Sequence, residues 1–129
     1  MDLILNGLSL AFLGDAYYEL WVRKYLLSLG YTKVDQLHKL KVKLSSSKAQ
    51  EFMMKHFLEN NLLTETELEA FKKGRNAAHF SRKNMDMVTY QQATGFESLI
   101  GYLSETNEER CNELIKIGVS LIKLGENHG

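Results

Sequence analysis

Apolar residues return at near-helical spacing in six successive segments, and capping residues stand at the breaks between them. Residues 8–29 open with Leu10, Leu13, Tyr17, Leu20 and Leu27 in phase, widened by Leu26 and Leu29, and Gly30 follows as a natural helix stop. So broad an apolar face predicts a helix buried in the centre of a domain. Thr32 and Asp35 read as a capping box for a second helix, with Leu37, Leu40 and Leu44 inward. Ser47 is the expected N-cap of a third, which buries Ala49, Phe52, Met53 and Phe57 and ends at Asn60 and Asn61. Thr64 and Glu67 form another capping box, for a short fourth helix holding Leu68 and Phe71 and closed by Gly74. Residues 75–84 keep no period and predict the longest connection in the chain, where function often concentrates. A fifth helix, capped by Asn84 or Asp86, runs through Tyr90, Ala93, Phe96, Ile100 and Leu103 with Gly95 and Gly101 inside it. Each interior glycine costs about 1 kcal/mol relative to alanine, and the close approach of another backbone would compensate. Thr106 and Glu109 predict a sixth helix with Leu114, Ile117 and Leu121 inward, after which residues 125–129 should fray.

The expected fold is therefore all-α, without internal repeats, and the absence of proline leaves long helices uninterrupted. At 129 residues, 44% of them hydrophobic and 25% charged, the chain fits a single globular domain over residues 1–129. No stretch approaches the roughly 20 apolar residues of a membrane span. The start, Met1-Asp2-Leu3-Ile4-Leu5-Asn6, lacks the basic segment of a secretory leader, so a cytoplasmic location is expected. The single cysteine, Cys111, excludes an intrachain disulfide and a thiolate zinc site, and its apolar position suits core filling. Sixteen basic and sixteen acidic residues cancel, which excludes a generic nucleic-acid coat but leaves room for local patches.

One carboxylate, Asp15, interrupts the apolar run from Leu8 to Leu20, and an ionised carboxylate is costly to bury without compensation. Glu19 lies one helical turn on, within reach of Arg23 at its own i+4 position. Spacing alone allows a solvated stripe or a capping Asp. It also allows a metal-binding carboxylate on an apolar scaffold, completed by a second carboxylate from elsewhere.

Phe12-Leu13-Gly14-Asp15-Ala16, together with Thr94-Gly95-Phe96-Glu97-Ser98-Leu99-Ile100-Gly101, resembles the signature helix and the later metal-binding helix of the ribonuclease III endonuclease domain. Leu5-Asn6-Gly7-Leu8, Leu37-His38-Lys39, Lys48-Ala49-Gln50, Lys73-Gly74-Arg75-Asn76-Ala77 and Lys83-Asn84 extend the likeness to the family's short Mini-ribonuclease III branch, which has the catalytic domain and no double-stranded-RNA-binding domain. The resemblance implies a magnesium-dependent homodimer that cuts double-stranded RNA and, in this branch, matures precursor 23S ribosomal RNA, with a ribosomal protein on the substrate as a further partner. By the same resemblance Asp15 and Glu97 are the catalytic and metal-binding residues, and Phe12 is the aromatic of the dimer interface. Glu19 is a candidate for orienting a water in the metal's outer shell. Ala11 and Thr94 stand where full-length ribonuclease III enzymes carry further acids, which leaves fewer protein ligands per metal. Magnesium, a hard cation that keeps several waters, can be held by one or two carboxylates.

Lys39, Lys48, Lys73, Arg75, Asn76 and Lys83 are the candidate RNA contacts, with Lys43, Lys72 and Arg82 nearby. A-form duplexes offer little sequence to read, so recognition by shape is expected. His38 and His79 are assigned to RNA contact or capping, and Trp21, Tyr17, Tyr18 and Tyr25 to core or subunit interface. The alternatives are a catalytically degenerate RNA-binding factor for ribosome assembly and a helical protein adaptor.

Overall fold

All six expected helices form, and a computed structural model describes them over residues 5–78 and 86–125. They are α1 (Gly7–Ser28), α2 (Val34–Ser45), α3 (Ser47–Glu59), α4 (Glu65–Ala77), α5 (Met87–Thr106) and α6 (Glu108–Ser120). Among the described residues there is no strand, and no helix is long and apolar enough to cross a membrane. Of residues 125–129, for which fraying is expected, all but Gly125 lie outside the described residues.

Local chemistry sets the boundaries. The Asn6 side chain accepts from the Ser9 amide, Thr64 and Glu67 form the expected reciprocal capping box, and Asp86 accepts from the Val88 and Thr89 amides. Gly30, with φ +98°, turns the chain out of α1 in a conformation that suits glycine. Four expectations need correction. α2 starts from Lys33 with no side-chain cap, so Thr32 and Asp35 do not form a box. Ser46, one residue before Ser47, caps α3 through the Ala49 amide. Asn107 caps α6, because Thr106 still belongs to α5 and its hydroxyl donates to the Tyr102 carbonyl. Gly74 does not end α4, which continues to Ala77; here glycine serves packing, since a Cβ would stand 2.4 Å from that of Ser98.

α5, rather than α1, is the central helix. It packs against α1, α3, α4 and α6, and residues 93–101 are buried except Glu97, which is half-buried. α1 buries one face: Gly7, Leu10, Ala11, Gly14, Tyr18, Val22 and Leu26. Leu20 and Leu27 are exposed and Leu13 and Tyr17 half-buried, so the leucines that suggested the inner stripe lie mostly off it. Small residues carry little hydrophobic signal but let backbones meet. A Cβ on Gly14 would lie 1.8 Å from the Glu97 carbonyl oxygen, and one on Gly101 2.0 Å from that of Leu10. The expected compensation for glycine inside α5 is thus present.

Around this contact Tyr18 meets Phe96 edge-on at 5.2 Å and donates its hydroxyl to the Leu44 carbonyl at 2.6 Å. Cys111 is buried as expected, its thiol facing the Ile100 carbonyl, whereas Phe52 is 52% exposed instead of core. Arg110 of α6 braces the far side through Nε and Nη2 to Glu67, at 2.8 and 3.0 Å, and through Nη2 to the Leu62 carbonyl. Burial works against the Glu67 charge, but Arg110 and Thr64 outweigh it and hold the carboxyl below its ordinary range.

Gly101→Ala is expected to lower the free energy of unfolding by about 1–3 kcal/mol, because the added methyl must displace backbone rather than a flexible side-chain end. Urea denaturation of wild type and variant measures it.

Candidate active site

The α1–α5 contact delivers two acids to one place. Asp15 follows Gly14, whose backbone lies against the Glu97 carbonyl, and Glu97 precedes Gly101 by about one turn of α5. Asp15 is exposed, Glu97 is half-buried, and the Asp15 carboxyl lies near enough to act on that of Glu97. Burial and, after it, the neighbouring Asp15 carboxyl push Glu97 up to about 8. Among the described residues no ion pair reaches either acid, and no group of three or more His, Cys, Asp or Glu side chains is placed to hold a metal. The donor set is two hard oxygen ligands carrying uncompensated negative charge, which suits a magnesium-like cation.

Two further side chains frame the pair. Gln50, from the first turn of α3, directs Nε2 at Glu97 Oε2 over 3.4 Å. Glu19, one turn after Asp15, accepts from Arg23 at 3.1 Å and from Lys41 at 2.7 Å. Burial opposes its charge, but the two cations prevail and hold its carboxyl below the ordinary range. The Arg23 pairing expected from spacing is present, and Lys41 from α2 joins it. Glu19 still lies near enough for its charge to act on Glu97.

The structure separates the remaining candidates. Lys39, Lys48, Lys73 and Asn76 are exposed and distributed over α2, α3 and α4. Arg75 is half-buried, its guanidinium 5.5 Å from the Phe71 ring centre and its Nε bonded to Asn76 Oδ1 at 3.1 Å, so two contacts orient it. These two residues belong to α4 and not to the connection assigned to them. Lys83, Arg82 and His79 lie outside the described residues. His38 lines an apolar pocket with Leu26, Leu27, Val34 and Leu37. Tyr18 is core, Trp21 stacks on Tyr25, and Tyr17 donates to Glu108 and Asn112. Phe12 is 83% exposed.

Sequence reasoning missed Gln50 and Lys41. The signal for Gln50 was available: it stands three, four and seven residues before Met53, Met54 and Phe57, a polar residue on an inner stripe.

A model of the ribonuclease III domain matches residues 8–108, which include both acids and all of α5. The chain belongs to the ribonuclease III family. It is 58% identical to Mini-ribonuclease 3 of Acholeplasma laidlawii, over 97% of this chain and 100% of that one. It is 48% identical to Mini-ribonuclease 3 of Enterococcus faecalis, over 96% and 94%. A crystal structure of a Fusobacterium nucleatum protein, 33% identical, superposes with a TM-score of 0.79 over 91% of this chain and 93% of that one. The molecule is thus an endoribonuclease on the ribonuclease III fold, in its Mini-ribonuclease 3 branch.

The Glu97 shift carries a pH dependence. Raised from 4.5 to about 8, the carboxyl binds a proton in the folded ribonuclease that it releases on unfolding between those values. Its stabilising contribution is full below 4.5 and is lost as pH rises through 8. In metal-free protein, Glu97→Gln is expected to flatten the fall in stability between pH 5 and 8.5, as read from urea midpoints of wild type and variant.

Proposed function

We propose that this ribonuclease III cuts double-stranded RNA as a magnesium-dependent homodimer in the cytoplasm, and that its substrate is precursor 23S ribosomal RNA, with a ribosomal protein as a possible companion on that substrate. The observation that carries the proposal is the approach of Asp15 and Glu97, two acids from distant parts of the chain brought together where Gly14 meets the Glu97 backbone, without a compensating cation among the described residues. Asp15 and Glu97 would hold the magnesium, which when bound supplies Lewis-acid stabilisation of the scissile phosphate and activation of the attacking water. Asp15 faces solvent and can meet substrate, while Glu97, set deeper, anchors the site. Ala11 and Thr94 are buried, and the Thr94 hydroxyl is spent on the Tyr90 carbonyl, so neither adds a ligand. Retention of the metal then rests on two carboxylates. Arg75, Lys39, Lys48, Lys73 and Lys83 supply phosphate contacts and Asn76 a 2′-hydroxyl contact in this reading, and Glu19, with its two cations, sits beside the pair.

The homodimer is supported by α1 itself. Leu8, Phe12, Ala16 and Leu20 are all exposed and fall four residues apart, an apolar row on one helix face. Phe12 precedes Asp15 by three residues, so pairing through this row would set each site beside the seam. Relatives named Mini-ribonuclease 3 support the assignment to the RNA-cutting branch.

Asp15→Asn and Glu97→Gln are each expected to reduce cleavage of a long RNA duplex by well over the ten- to hundredfold typical of outer-shell changes. Duplex binding in a gel shift should persist; cutting at the wild-type rate by either variant would sink the assignment. Phe12→Asp is expected to halve the mass measured by light scattering, because a carboxylate cannot be buried unpaired at an apolar seam.

A further inference from the structure

We infer that Gln50 is a positioning residue for the metal site, a neutral donor that holds one oxygen of Glu97 and leaves the other free to face Asp15 and a cation. This deepens the reading of Asp15 and Glu97 as metal ligands and rests on it. Gln50 is 3% exposed, and a buried primary amide is costly unless its groups find partners. The side-chain hydrogen bond it makes among the described residues runs from Nε2 to Glu97 Oε2. A carboxylate that holds a cation is ionised and only accepts, so in that state the amide nitrogen, not its oxygen, must face it.

The donor is firmly mounted. Ser46 caps α3, the Gln50 amide N–H donates to the Ser46 carbonyl, and Tyr18 pins the preceding Leu44 carbonyl. The next residue, Glu51, accepts from Thr89 of α5 at 3.0 Å, so the first turn of α3 meets α5 at two points. Glutamate has three rotatable side-chain bonds, and a fixed donor on one oxygen removes most of that freedom before a cation arrives. Neutrality matters as much as reach. A lysine here would neutralise the pair and compete with the cation, whereas an amide orients the carboxylate and leaves its charge in place.

The test uses the full chain and magnesium alone, titrated calorimetrically into wild type, Gln50→Met and Asp15→Asn. Gln50→Met keeps the volume and removes the donor. It is expected to melt within a few degrees of wild type, to bind magnesium about tenfold more weakly, and to need correspondingly more magnesium for half-maximal cleavage while recovering most of kcat at saturation. Wild-type affinity in Gln50→Met overturns the inference and leaves the two-carboxylate site standing. Unchanged binding in Asp15→Asn, or no saturable binding by wild type, overturns both. If Gln50→Met fails to fold, NMR of the wild-type protein decides. The Gln50 side-chain amide signals should shift with the same midpoint as magnesium binding, and their indifference to the ion overturns the inference.

Discussion

Everything in this molecule that bears on chemistry depends on how closely α1 and α5 approach. Gly14 and Gly101 allow each helix to press its backbone against the other's, at a separation no Cβ would permit. Glycine in a helix interior is unfavourable by itself, so the cost at both positions has to be offset by what the contact achieves. It achieves convergence: side chains that follow Gly14 on one helix and precede Gly101 on the other emerge side by side. A pair of larger residues would force a wider helix spacing and draw the two acids apart.

The neighbourhood of Glu97 shows how the site stores unfavourable electrostatics. Burial and like charge both resist ionisation of Glu97, and one neutral amide is the only relief that α3 offers. One turn away Glu19 enjoys the opposite situation, with an arginine and a lysine on it. Two acids on one helix, Asp15 and Glu19, are thus treated in contrary ways by their neighbours. The cations sit on Glu19, and neither Asp15 nor Glu97 has one in an ion pair among the described residues. Such contrast between adjacent acids is the physical ground on which the proposed metal site rests.

The sequence announced the six helices, the Thr64–Glu67 and Asp86 caps, and the reason for glycine inside α5. It misjudged which helix lies at the centre, because leucines such as Leu20 and Leu27 dominate a hydrophobic pattern while Gly7, Ala11 and Gly14, which mark the true contact face, hardly register in it. Phe52 misled in the same way. Asp15 and Glu97 were legible through their motifs, but periodicity contains no information on contacts between residues so far apart along the chain. For the same reason Lys41 went unnoticed: it reads as one of several lysines on α2, and only the fold shows that it reaches back to α1. Gln50 could have been found, since a polar residue in phase with Met53 and Phe57 asks for a buried partner.

The central place of α5 also bears on how the protein is made. α1, α3 and α4 all lay buried faces against a helix that begins only at Met87. In synthesis order these segments therefore precede their common partner, and the faces they bury against it are completed only by a later part of the chain. The contacts that close the core are thus long-range ones, whose loop-closure entropy has to be met before burial rewards it.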